Sequence, residues 1–81
     1  MDNTELRKTF GTVLREARER TGLSQERFAL KAGLDRTTIS MLERGVHQPT
    51  LSTIFILADN LDVKAATLVA RVDKKRAQVT D

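Results

Sequence analysis

The stretch SQERFALKAGLDRTTISMLERG, Ser24 to Gly45, spells out two short helices built to one pattern. Ser24 is a helix-capping residue, and Glu26 in the following turn suits the positive end of a helix dipole. Leu23 before the cap and Phe28 at the fourth helical position can close a hydrophobic staple. Phe28, Ala29 and Ala32 then point one way, and Gly33 stops the helix after about two turns. The pattern repeats at once: Leu34 precedes Asp35 as N-cap, Ile39 takes the fourth helical position, and Gly45 supplies the stop. A link as short as Gly33-Leu34 forces the two helices to cross steeply.

Outward from this pair the rest of the chain also reads helical. There is one proline, Pro49, and no stretch alternates apolar and polar residues with the period of a strand. A first helix is predicted over Thr4–Arg20, with Leu6, Phe10, Val13, Leu14 and Ala17 as its apolar stripe and Gly22 as its stop. Val46-His47-Gln48-Pro49 is a loop, after which Thr50 caps a helix reaching Leu61. Leu51, Ile54, Phe55, Leu57, Ala58 and Leu61 form its inward face, with Ile56 on the far side. A short fifth helix is predicted over Lys64–Arg71. The expected organisation is one all-α, five-helix domain over residues 1–72 and a polar, frayed tail over 73–81.

Composition removes several classes of function. The 81 residues hold no cysteine, so there is neither a disulfide framework nor a thiolate metal site. The lone histidine, His47, has no second ligand, and no metal or cofactor is expected. A glycine-rich phosphate loop and a convergent pair of carboxylates are both missing, which argues against an enzyme. No apolar run matches a membrane span or a signal peptide, so a cytoplasmic protein is expected. The net charge of +3 is a weak pointer. Residues 1–22, 23–49 and 50–81 each carry one more base than acid, so no basic block stands out along the chain.

The exposed face of the third helix is more informative. With Arg36 at zero on a helical wheel, Ser40 lies at about 40°, Arg44 at about 80°, Thr37 at about 100° and Met41 at about 140°. Ile39 and Leu42 fall at about 300° and 240°, on the core side. Arg36, Thr37, Ser40 and Arg44 thus share one strip that contains no acid, with Met41 at its edge. Arginine can hold guanine O6 and N7 with two hydrogen bonds, and serine and threonine can reach base edges or a thymine methyl.

Ser24 to Gly45 resembles the helix-turn-helix of the phage-repressor-like regulators of the Cro and Xre type. The residues that carry the likeness are Ser24-Gln25-Glu26, Ala29, Gly33, Ile39, Leu42-Glu43, Gly45 and Pro49-Thr50-Leu51. The resemblance implies a lambda-repressor-like fold and a transcriptional regulator that binds double-stranded DNA. Leu34-Asp35-Arg36-Thr37 and the chain's size further resemble the controller proteins of restriction–modification systems. Carried over position by position, Arg36, Thr37, Ser40 and Met41 match base-reading or base-flanking positions. Gln25, Arg44, His47 and Gln48 match phosphate contacts, and Arg18 with Glu43 matches a structural ion pair.

One such helix reads few base pairs, so a homodimer on a pseudo-palindromic operator is expected, with repression by occupancy. Ile56, Leu68, Val69 and Val72 are the candidate dimer surface, with closing the monomer core as the alternative role of Leu68 and Val69 and the favoured one for Leu68. The alternative is an antitoxin-type interaction module that binds a toxin and regulates its own operon. No small-molecule ligand is evident.

Overall fold

The computed structural model describes residues 3–79, folded into α1 (Thr4–Thr21), α2 (Gln25–Ala32), α3 (Arg36–Glu43), α4 (Leu51–Asn60) and α5 (Ala65–Val79). No strand occurs among the described residues, and none of these helices is long and apolar enough to cross a membrane. The core is assembled from the predicted stripes. Phe10, Val13, Leu14 and Ala17 of α1 meet Phe28 and Ala29 of α2, Ile39 and Leu42 of α3, Leu57 and Ala58 of α4, then Leu61, Leu68 and Val72. Leu23 and Leu34, the residues before the two caps, pack against this core as the staple pattern requires.

The turns follow from the same grammar. Ser24 Oγ accepts the Arg27 N–H at 3.1 Å. Gly33 adopts φ 71° between α2 and α3, and the Leu34 N–H returns to the Ala29 carbonyl at 2.9 Å. At the end of α3, Gly45 adopts φ 75°. There the Gly45 and Val46 N–H groups donate to the carbonyls of Leu42 and Met41. This pairing satisfies the orphan carbonyls of the helix end and needs a left-handed residue at Gly45. Asp35 occupies the N-cap position of α3, but its side chain makes no capping hydrogen bond, unlike Ser24 and Thr50.

Three expectations change. Helix α5 does not stop at Arg71 but continues to Val79, taking in most of the stretch expected to be a frayed tail. Val72 is buried, Lys75 Nζ meets Glu16 Oε2 at 3.4 Å, and no glycine or proline interrupts the segment, so packing on α1 prolongs the helix. Residues 80–81 of that stretch lie outside the described residues. On α4, Leu51 and Phe55 face solvent at 71% and 54% exposure, because the core is already closed by Leu57, Ala58 and Leu61. Of the expected dimer residues, Leu68 and Val72 lie inside the monomer core, while Ile56 and Val69 remain on the surface.

The steric requirement at Gly11 has no counterpart in the sequence reading. Helix α1 crosses the end of α3 so closely that a Cβ on Gly11 would sit 2.5 Å from the carbonyl oxygens of both Leu42 and Glu43. Backbone cannot yield as a flexible side chain would. The Gly11→Ala variant should therefore lose about 1–3 kcal/mol of stability, the usual range for overpacking, read as a lower urea midpoint. A midpoint equal to that of the parent chain would show that α1 and α3 have slack at this crossing.

Candidate nucleic-acid interface

The candidate surface is built on α3, whose C-terminal end is held against α1 and α2 by a single carboxylate. Arg18 of α1 donates through Nε to Glu43 Oε2 at 2.6 Å and through Nη2 to Oε1 at 3.1 Å. This is the two-pronged arginine–carboxylate geometry that fixes orientation as well as distance. The Arg18 Nη1 group also donates to the Leu23 carbonyl at 2.8 Å, securing the loop that leads into α2. Gln25, the first residue of α2, donates from Nε2 to Glu43 Oε1 at 3.0 Å. The side chains of Arg18 and Glu43 are 11% and 3% exposed, so the pair is largely withdrawn from water. The hydrogen bond to Glu43 raises the Arg18 pKa above its ordinary value, against the opposing pull of desolvation.

The ion pair expected between Arg18 and Glu43 thus forms, and it acquires a third member that the sequence did not announce. Residue spacing shows that Gln25 begins a helix, but not that its amide reaches the end of the next one. Among the described residues, the second Nε2 hydrogen of Gln25 has no protein partner. Beside it, the early backbone N–H groups of α2 are helix-end donors.

The strip on α3 emerges with the geometry read from the wheel. Arg36, Thr37 and Arg44 are exposed, and Ser40 and Met41 are half-buried at the strip's floor. Arg44 Nε donates to Ser40 Oγ at 3.2 Å, so these two side chains form a unit one helical turn apart. No acid lies within the strip: Glu43, the acid of α3 itself, is turned inward and paired with Arg18, and Asp35 stands before the helix at its N-cap. His47 and Gln48 are exposed in the loop that follows α3. That loop is anchored at its start, where Arg7 Nε donates to the Gly45 carbonyl at 3.4 Å. The arrangement offers an extended row of donors, two cations and small side chains on a short helix, with another helix N-terminus beside it. It holds no group of histidines and acids able to bind a metal among the described residues.

Comparison with known proteins identifies the family and the fold. The helix-turn-helix family profile matches residues 14–68, most of the chain. An uncharacterized HTH-type transcriptional regulator, y4dJ of Sinorhizobium fredii, is 34% identical over 70 residues, spanning 86% of this chain and 91% of the relative. Control protein C.SmaI of Serratia marcescens is 35% identical over 74 residues, spanning 91% and 88% of the two chains. Among solved structures, the restriction-modification controller protein C.AhdI from Aeromonas hydrophila superposes with a TM-score of 0.79 at 40% identity, covering 84% of this chain and 99% of that one.

Removing one partner of the inward-turned pair isolates the charge of the other. Arg18→Met should destabilise the domain by about 3–5 kcal/mol, the usual cost of leaving a buried charge unpaired. The double variant Arg18→Met/Glu43→Leu should recover most of that loss in urea unfolding, since both charges are then gone. Additive losses in the double variant would mean that the two residues act independently. The chain belongs to the helix-turn-helix family of DNA-binding transcriptional regulators, which are not enzymes.

Proposed function

We propose that the protein is a sequence-specific regulator of the restriction–modification controller kind, binding as a homodimer to a pseudo-palindromic operator and repressing by occupancy. The observation that carries this reading is the acid-free strip on α3, set beside the N-terminus of α2. Arg36 and Thr37, at the start of α3, are assigned to base edges, with Ser40 and Met41 at the groove floor. Gln25, Arg44, His47 and Gln48 are assigned to phosphates, where they set docking rather than sequence preference. The controller assignment draws on C.SmaI and C.AhdI, both matched over most of their own length.

For the dimer, the surface of α4 and α5 supplies the candidates. Ile56 and Val69 are retained at 37% and 47% exposure, joined by Phe55 and Leu51 one helical turn apart on α4. Large apolar side chains left in water favour burial against a second copy, at roughly 25 cal/mol per Å² of apolar surface. Residues 1–72 are taken as the DNA-binding unit, with the C-terminal part of α5 as an extension of it.

Selection of bound sequences from a random DNA pool tests this reading. The expected product is a two-fold symmetric site with half-sites about one helical turn apart. Against that site, Arg36→Ala should cost about 1–3 kcal/mol and relax preference at one position of each half-site. Gln25→Ala should weaken selected and random DNA by the same factor. Enrichment of no common sequence would overturn the proposal, and equal loss on both DNAs for Arg36→Ala would remove that residue from base readout. Sedimentation should show Phe55→Arg shifting the protein toward monomer, and an unaltered dimer would exclude this face of α4.

A further inference from the structure

Cations that are evenly spread along the sequence are partly brought together by the fold, at a place away from α3. A cleft of about 290 Å³ opens between the C-terminal halves of α1 and α5. It is lined by four cations, Arg20, Arg71, Lys74 and Lys75, and by a single carboxylate, Glu16. Glu16 is engaged by Lys75 at 3.4 Å. Arg20, Arg71 and Lys74 make no ion pair or side-chain hydrogen bond among the described residues, which leaves a local excess of three positive charges. That equals the formal net charge of the whole chain.

The cleft also faces away from the α3 strip. Gly11 and Arg18 mark the side of α1 that meets α3, and they lie within about 20° of each other on a helical wheel. Glu16 and Arg20 lie about 160° and 200° around from Arg18. A ligand in the cleft is therefore on the opposite side of α1 from anything bound along α3. An excess of like charge destabilises a fold slightly through self-repulsion, and a bound polyanion relieves that repulsion.

We propose that this cleft is a second, sequence-independent binding site for a nucleic-acid phosphodiester backbone, allowing one protomer to hold a DNA segment separate from the one along α3. Three features favour a backbone over a small anion or an acidic protein. Arg71, Lys74 and Gln78 follow each other at successive turns of α5, a linear array suited to a linear polyanion. Arg20 and Lys74 are exposed and Arg71 is half-buried, and all three are long point-charge or guanidinium side chains suited to backbone contacts that fix no sequence. DNA held at one site also presents its own remaining length to the other at high effective concentration. The cleft shares no residue with the α3 strip, so the two assignments stand or fall separately.

The test begins from a chain with the α3 strip silenced, Gln25→Ala/Arg36→Ala/Arg44→Ala, and measures anisotropy on a random-sequence duplex. Three backbone contacts at the cleft predict residual affinity that falls about 40-fold between about 50 and 200 mM salt. Adding Arg20→Gln/Arg71→Gln/Lys74→Gln should abolish that binding, while Arg20→Lys/Arg71→Lys should keep it, since charge and not shape is required. In the otherwise native chain, the same three glutamine substitutions should change affinity for a short selected operator by no more than about twofold, because their long-range field is largely screened at that salt. Thermal unfolding by circular dichroism confirms that each variant is folded. Absence of salt-sensitive binding in the silenced chain would overturn the proposal, as would binding indifferent to the glutamine substitutions. Tighter binding of polyglutamate than of DNA of equal charge would overturn it in favour of an acidic protein partner.

Discussion

The Glu43 carboxylate sits where three helices and one loop come together. It accepts from Arg18 on α1 and from Gln25 on α2 while belonging to the last turn of α3, and Arg18 reaches on to the Leu23 carbonyl. A helix of eight residues has little stability of its own. The orientation of α3 is therefore set by what grips its sides and end. Ile39 and Leu42 supply the non-directional part of that grip through burial, and Glu43 supplies the directional part. Such a pair contributes modestly to net stability once desolvation is counted, and more to fixing one geometry.

The close crossing of α1 over α3 is a second constraint on the same helix. Where the two helices meet they approach nearly backbone to backbone, and Gly11 is what allows it. At Gly45 an added Cβ would lie 2.8 Å from Lys8 Cα, so the loop after α3 is pressed against α1 as well. The candidate strip is thereby carried on a short element whose core face, end and following loop are all fastened to α1. Its exposed face can then be varied without disturbing the packing. Arg36 and Thr37 have no structural duty that their substitution would sacrifice, while Glu43, one residue before Arg44, has little else.

Much of this was legible in the residues. Caps at Ser24 and Thr50, stops at Gly33 and Gly45, and the apolar stripes of α1 to α3 are local signals, decided within a few residues by backbone geometry and side-chain periodicity. The wheel position of Arg36, Thr37, Ser40 and Arg44 is equally local, and the structure places these residues accordingly. The family spacing from Ser24 to Leu51 drew on the same short-range pattern and pointed to the same architecture. The features that differ from local expectation are fixed by long-range contacts. The apolar face of α4 was drawn too wide because periodicity cannot tell how much of a stripe the rest of the core will cover. The end of α5 was set too early because its support comes from Glu16 and the α1 surface, 59 residues away from Lys75 along the chain. Val72 was expected beside Val69 on a dimer surface, when packing of α5 against α1 places it inside with Leu68.

The sequence by itself determined that the chain is helical, where its short central helices begin and end, and which side chains α3 turns outward. Those are properties of three to eight consecutive residues, settled by capping chemistry, glycine backbone freedom and the 3.6-residue period. Tertiary structure alone decided that Gln25 is fastened to Glu43, that Gly11 must lack a side chain, and that Arg20, Arg71 and Lys74 converge on one cleft. Each depends on two segments far apart in the chain meeting at a particular angle. That angle is a property of the packed core as a whole, which no local pattern encodes.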